Sequence, residues 1–478
     1  MTVAFIHSNE PRLRQFLKCL AIPHTSLTPE PGTYETLIQW GGFVQEQPGQ
    51  RRLQPVQSVL RTRNAAKTSQ LLRLHGMKPE LDKEPSAAGY AYLYQIPVFH
   101  LEPLAVFERR HTATFYHSSK PQPVRYIEME GASGFHAGRA KREAVKAIYA
   151  LGLDYGIVTV GVRDAMEPVD IVRVDAEPKL TGRWAELFAD AMFRYGEELQ
   201  RERELRERPL TIGMDPEFLL RDHAGEVVFA SQFMDKEGKA GCDSIVLPDR
   251  SKVYPLVELR PLPSPDIREL IINLQRTMQL AARKIGDSSL EWLAGGMPVK
   301  GFPLGGHIHF GNVQLNVHLL RALDNYVALP LLLLEDVTTG QRRPKYGFLG
   351  DFRRKSSLRF EYRTLPSWIL SPAVTKGTLA LAKLVATHYL ELTRLPLQYA
   401  DVQVSYYNGD KAALRDIVTG LWGELEALPS YAQYRAYLEP FKKLVMDMKS
   451  WDEQVDFRKR WKITPANEKS SADYQIMV

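Results

Sequence analysis

The sequence predicts an α+β protein of more than one domain, and three observations carry this. At 478 residues the chain is too long for one typical core. Up to about residue 200, short apolar runs alternate with amphipathic stretches, the rhythm of an α/β domain. From Leu210 the pattern changes: strand-like segments carry polar residues at a spacing of two, and long helical segments separate them. Between the two regions, Glu198–Arg208 alternates Arg and Glu densely and reads as a solvated helix end and linker.

In the first region Val3–His7 reads as a buried strand and Pro11–Leu20 as an amphipathic helix. Leu37–Gly41 reads as a second strand, followed by a Gly/Gln/Pro loop through Gln54. Asn64–His75 is a helix for which Gly76 supplies the C-cap. Ile96–His100 and Val124–Met129 read as strands, and Gly138–Leu151 as a helix ended by Gly152. Ile157–Val162 and Val169–Val174 read as paired strands, and Trp184–Glu204 as a helix with a charged end. Further on, Val253–Val257 is a strand, and helices are predicted at Pro265–Ile285, Asn316–Val337 and Val374–Leu395. From residue 401 the chain is mostly helical, with aromatic-rich faces at Tyr406–Tyr407 and Tyr431–Phe441. The polar tail from Thr464 is expected to be poorly ordered at its end.

Hydrophobic content of 44% and charged content of 25% are those of an ordinary soluble protein. A net charge of +6 is mild for this length and compatible with anionic ligands such as nucleotides. No aromatic-interleaved basic segment or zinc-finger spacing is present, so nucleic acid is not an expected partner. Two distant cysteines, Cys19 and Cys242, argue against a disulfide framework and fit a reducing cytosol. The N-terminus lacks a signal-peptide pattern, and Leu329–Leu334 is too short to span a bilayer. The expectation is a cytoplasmic protein with no membrane partner.

The chemistry concentrates in four motifs between Thr211 and Pro366: Gly213-Met-Asp-Pro-Glu217, Glu258-Leu-Arg-Pro261, Gly305-Gly-His-Ile-His-Phe-Gly311 and Arg359-Phe-Glu-Tyr-Arg363. On strands, residues two apart share a face. Asp215 would then join Glu217, His307 would join His309, and Arg359 would join Glu361 and Arg363. Each motif also has an ordinary reading. Asp-Pro is turn chemistry, Glu258–Arg260 is a surface pair, and Arg-x-Glu-x-Arg is an exposed ladder of little stabilising value. Two imidazoles flanked by glycines are harder to dismiss. Carboxylates, imidazoles and guanidiniums on one sheet face are costly unless they bind something. A divalent metal with a polyphosphate satisfies both signs of charge, which points to an ATP-dependent enzyme. The Gly-punctuated stretch with Arg342, Arg343, Lys345, Arg353 and Arg354 adds cations that need an anion.

Over about Leu210–Leu395 these motifs resemble the glutamine synthetase-like carboxylate–amine ligases, and most closely the phage-type COOH–NH2 ligases, or type 2 amidoligases. The resemblance implies a glutamine synthetase-like curved antiparallel sheet with outer helices. It makes Asp215, Glu217, Glu258, His307 and Glu361 metal ligands, and His309 the substrate-side histidine. Arg359 and Arg363 match the phosphate contacts, with Arg343 and Arg353 as further phosphate or substrate contacts. Asp215 stands where glutamine synthetases have Glu, one methylene shorter. The N-terminal part resembles a worn, degenerate ATP-grasp domain through Arg63–Lys67, Gly76–Pro79, Leu151–Gly156 and Val172–Pro178. Arg173 and Asp175 stand where active members carry Glu and Asn as metal ligands. That domain is expected to bind substrate or partner without hydrolysing ATP, because a cation in place of a metal carboxylate repels Mg²⁺.

The implied organisation is a degenerate ATP-grasp-like domain over 1–205, a ligase domain over 210–400 and a helical extension over 401–478. The implied reaction is ATP-dependent formation of an amide or isopeptide bond through an acyl phosphate. Mg²⁺ is the expected metal, with Mn²⁺ as its alternative. The substrates are a small-molecule or peptide carboxylate and an amine, and glutamine synthetase relatives often assemble into homo-oligomers. Two other readings stand beside it: a catalytically silent scaffold that binds an anion, and a metal-dependent hydrolase built on His307-Ile-His309.

Overall fold

The computed structural model describes residues 3–30, 32–41, 51–81, 89–110, 125–131, 134–164, 167–205, 208–247 and 251–463. The loop expected over 42–50, the strand start at Val124 and the tail from Thr464 lie outside the described residues. The chain divides into two compact units, Met1–Glu204 and Leu205–Val478.

The first unit holds two sheets. Val3–His7, His24–Thr25, Thr36–Trp40 and Arg51–Leu53 pair in parallel, with Val3–His7 between the second and third strands. Arg51–Leu53 falls inside the segment read as loop, because Arg-Arg-Leu has no apolar pattern to betray a strand. The second sheet has seven strands. At its centre Tyr155–Val162 pairs antiparallel with Tyr92–Phe99 and with Asp170–Asp175. Helix Phe135–Ala150 brings Ala137, Ala140, Ala144 and Ala147 to the buried cluster of Ile96, Val158 and Val160. These alanines recur at three- and four-residue spacing, so one small-residue face lets the helix lie close to the sheet. It ends before Gly152, whose φ of +71° takes the left-handed conformation that closes helices.

The second unit is built on one sheet of eight strands: β1 (Thr211–Arg221), β2 (Val227–Val228), β3 (Ala240–Val246), β4 (Lys252–Leu259), β5 (Glu291–Leu293), β6 (Gly306–Gly311), β7 (Phe352–Ser356) and β8 (Arg359–Tyr362). The order is β3-β4-β1-β6-β8-β7, with β2 and β5 also on β1, and every pairing is antiparallel. Mixed helix with a predominantly antiparallel sheet was the sequence expectation for this region.

Alternation assigns the two faces. Met214, Phe218, Ile308, Phe310, Phe360 and Tyr362 are buried on one side, where Phe310 stacks on Phe360 with ring centres 5.0 Å apart. Helix Ile267–Ile285 buries Leu270, Leu274, Met278 and Ala281. Asp266 caps its start by accepting from Glu269 N–H, and Gly286 ends it at φ +65°. The segment expected as one helix over Asn316–Val337 is helical from Val317 to Leu332 but carries a π-turn at Asp324–Ala328. The wider turn places Asp324 to accept from the Tyr362 hydroxyl at 2.7 Å, behind β8. Tyr406, Tyr407, Tyr431 and Phe441 are buried. No helix among the described residues is long and apolar enough to cross a membrane.

Candidate active site

The face of the sheet opposite this apolar layer carries the motif residues. Strand register sets them in transverse rows. His309 on β6 lies opposite Gly213 on β1 and Glu361 on β8, and Glu361 lies opposite Arg353 on β7. Two residues along, Asp215 faces His307. Two further, Glu217 faces Glu258 on β4. The four motifs, scattered over about 150 residues of sequence, therefore meet on four adjacent strands, β4, β1, β6 and β8, with β7 beside them.

Asp-Pro-Glu is not a turn: Pro216 lies inside β1. Its missing N–H is tolerated there because β4 pairs with β1 only at Glu217 and Phe218. Glu258 was expected to follow a strand but lies within β4, which runs to Leu259. Its carboxylate pairs with Arg260.

Asp215 is the hub. His307 Nδ1 lies 3.0 Å from its Oδ1, and His309 Nε2 lies 3.0 Å from its Oδ2. Burial alone would push the Asp215 carboxyl up, but the His307 and His309 imidazoles hold it well below the usual carboxylate range. Burial likewise works against a charged His307, and the Asp215 carboxylate overcomes it, raising the imidazole above its usual value. Glu217 is different. It accepts from Gly305 N–H at 2.7 Å, and burial pushes its pKa up to about 7. Gly305 cannot carry a side chain, since a Cβ there would collide with the His307 ring.

Glu361 is fully buried and surrounded by base. Arg363 donates to Oε1, Arg353 lies 3.4 Å from both oxygens, and Lys355 Nζ lies 3.0 Å from Oε2. His307 Nδ1 is 3.6 Å from Oε1. Burial and the neighbouring Asp215 oppose its charge; Arg363, His307 and Lys355 outweigh them and hold its pKa below the usual value. Arg359 is exposed at the far end of β8.

Asp215, His309 and Glu361 each offer one ligand atom within 4.8 Å of the others. His309 Nε2 is buried and makes no hydrogen bond despite its closeness to Asp215. An orphaned ring nitrogen beside two carboxylates fits a divalent cation, and the mixed nitrogen and oxygen set suits Mn²⁺ as well as Mg²⁺. The resemblance gave His307 to the metal and His309 to the substrate. In the geometry here it is a His309 nitrogen that lies with Asp215 and Glu361, while His307 Nδ1 lies 3.0 Å from Asp215 Oδ1.

Arg343 is held apart from these rows. Its guanidinium is buried, donates to Glu335 Oε2 at 2.8 Å and lies 5.0 Å from the centre of the Tyr406 ring. A guanidinium committed in this way is not free to reach phosphate. The neighbouring Arg342 is buried too, but donates to the Thr364 and Arg363 carbonyls at 2.8 and 3.4 Å, anchoring the chain where it leaves β8. The sequence reading missed Lys355. Its signal was the alternation Arg353-x-Lys355 at strand spacing, just upstream of Arg-x-Glu-x-Arg.

Three convergent ligand groups ringed by guanidiniums on an antiparallel sheet could hold a metal and an anion together. Residues 212–463 match the family model described as phage phiEco32-like COOH.NH2 ligase-type 2. That is more than half of the chain, and the chain belongs to this family of carbon–nitrogen ligases. The match runs through the helices beyond residue 400. A comparison with curated proteins gave no match.

Solved structures give distant likenesses. One is the ATP-grasp ligase PsnB complexed with a minimal precursor, at 10% identity and TM-score 0.29, covering 41% of this chain and 99% of that one. Another is a D-alanine–D-alanine ligase from Bacillus anthracis, at 12% identity and TM-score 0.31, covering 42% and 99%. A third is a bifunctional glutathione synthetase from Pasteurella multocida, at 10% identity and TM-score 0.34, covering 57% of this chain and 54% of that one.

Proposed function

We propose that the second unit is a glutamine synthetase-like ligase that joins a carboxylate to an amine at the expense of ATP. The observation that carries this reading is the row arrangement on one sheet face. Asp215, His309 and Glu361 converge while Arg353, Lys355 and Arg363 crowd the same carboxylate.

In this reading the substrate carboxylate attacks the γ-phosphorus of ATP, ADP leaves, and an acyl phosphate forms. The amine then attacks the acyl carbon, phosphate leaves, and the amine's proton passes to solvent or base as the amide forms. A divalent cation held by Asp215, His309 and Glu361, with Glu217 and Glu258 beside them, would neutralise charge on the transferring phosphoryl group. Arg353, Arg359 and Arg363 stabilise the same charge from the chain itself. His307 fixes the orientation of Asp215. Burial of Glu217 disfavours its charge, a cost that a neighbouring cation would offset. The first unit, with exposed Arg173 beside Asp175 where the ATP-grasp resemblance puts metal ligands, is read as holding substrate or partner rather than turning over ATP.

The test is phosphate release from ATP and Mg²⁺ by the full chain, screened against pooled amino acids and peptides. Release that needs both a carboxylate and an amine, and that vanishes in Glu361→Ala, is the expected result. A chain that binds no ATP, or whose release survives Glu361→Ala, would overturn the reading.

A further inference from the structure

Lys355 sits at an irregularity in the sheet. β7 and β8 pair regularly at Phe352–Tyr362, Arg353–Glu361 and Arg354–Phe360, and then the register shifts so that Ser356, not Lys355, stands opposite Arg359. In an unbroken ladder Lys355 would face Arg359, a destabilising pair of like charges. A bulge adds a residue, kinks the strand and re-aims side chains, and such bulges gather beside active sites. The Lys355 ammonium lies 3.0 Å from Glu361 Oε2.

Glu361 then carries more positive charge than one carboxylate needs. Arg353, Lys355 and Arg363 all pair with it, and His307 stands 3.6 Å away. A dication ligated by Glu361 would face these three cations at close range. The repulsion is relieved only if a cation leaves or an anion arrives. Arg363 is mostly buried, with 23% of its side chain exposed, at a point where Arg342 grips its carbonyl. Arg353 and Lys355, both on the edge strand β7, are 54% and 48% exposed; of the two Lys355 makes the closer contact, 3.0 against 3.4 Å, and is the compact charge on a flexible stem.

We propose that Lys355 exchanges its pairing with Glu361 for the nucleotide phosphates when a metal is held by that carboxylate, so that metal and nucleotide bind synergistically through it. This rests on the ligase reading above. Linkage makes the effect reciprocal: whatever factor the nucleotide adds to metal affinity, the metal adds to nucleotide affinity.

The experiment measures Mn²⁺ binding to the full chain, alone and with a non-hydrolysable ATP analogue, for wild type, Lys355→Met and Lys355→Arg. Wild type should bind Mn²⁺ weakly alone and about tenfold or more tightly with the analogue. Lys355→Met should bind Mn²⁺ alone several-fold more tightly, bind the analogue more weakly, and lose most of the coupling, while Lys355→Arg retains it. If wild type binds neither Mn²⁺ nor the analogue, the ligase reading falls and takes this inference with it. If wild type binds both, but Lys355→Met leaves Mn²⁺ affinity and the coupling factor unchanged, the ligase reading stands and the role of Lys355 is refuted.

Discussion

Glu217 and Glu258 stand directly opposite one another on β1 and β4. Like charges so placed repel. Arg260 pairs with Glu258, whereas Glu217 is buried with its pKa pushed up to about 7. Between the ordinary value of 4.5 and about 7, the folded chain keeps a proton on Glu217 that the unfolded chain has lost. Stability therefore falls as pH rises through that window, by on the order of 3 kcal/mol from this group. Thermal denaturation in the presence of a chelator should show Glu217→Gln losing this slope and exceeding wild type in stability above pH 7. Parallel Tm profiles for the two proteins would remove the buried-carboxyl account.

The two histidines should separate by role. His309 offers an unsatisfied ring nitrogen to the convergent set, whereas His307 hydrogen-bonds Asp215. His309→Ala should abolish measurable Mn²⁺ binding. His307→Ala should weaken it by about 10–100-fold, the usual effect of losing a group that orients a ligand. Calorimetry on both variants checks this, and the reverse ranking would restore the assignment made from resemblance alone.

Much of this was legible in the sequence because strands of period two announce themselves wherever charged and apolar residues alternate. Spacing alone put Asp215 with Glu217, His307 with His309, and Glu361 with Arg359 and Arg363, each set on one face of its own strand. Their register could not be read, because a pairing between β1 and β6, nearly a hundred residues apart, leaves no local trace. For the same reason, Arg343 was drawn into the phosphate set by its company of cations. Its partner Glu335 follows the apolar run that ends the helix at Leu332, and burial decides what the charge does. Lys355 was overlooked although Arg353-x-Lys355 keeps strand spacing, because its nearness to Glu361 depends on a pairing of β7 with β8 that the spacing does not announce.

The Arg343–Glu335 pair gives a stability prediction. Both groups are buried, and burial works against the Arg343 charge until Glu335 and Tyr406 restore it and raise its pKa above the usual value. Arg343→Met strands a buried carboxylate, at a cost of roughly 3–5 kcal/mol. Adding Glu335→Leu should recover most of that loss, since an apolar pair of similar volume is often as stable as the buried ion pair. Chemical denaturation of the single and double variants measures it. If Arg343→Met instead leaves stability intact and weakens ATP binding, Arg343 is a phosphate contact after all.

Glu453 ties the last described segment to the site's scaffold. Its buried carboxylate accepts from Gly296 N–H at 2.6 Å, Met297 N–H at 2.9 Å, the Thr338 hydroxyl at 2.9 Å, the Thr339 hydroxyl, and Trp451 Nε1 at 3.2 Å. Gly296 leads toward the loop that ends at Gly305, and Thr338 and Thr339 lie in the turn Val337–Arg342 that carries Arg342. One carboxylate thus satisfies donors from two segments that position Glu217 and Arg363. Glu453→Ala leaves those donors buried without a partner, at a cost on the order of 4 kcal/mol. Glu453→Gln keeps the shape but turns an NH2 toward donors, so it should recover only part of the loss. The expected result is a large fall in Tm for Glu453→Ala and an intermediate one for Glu453→Gln. Near-normal Mn²⁺ affinity should remain in whatever fraction stays folded, because no ligand atom is removed. A Glu453→Ala protein of wild-type Tm would mean that the segment after residue 450 does not hold the site together.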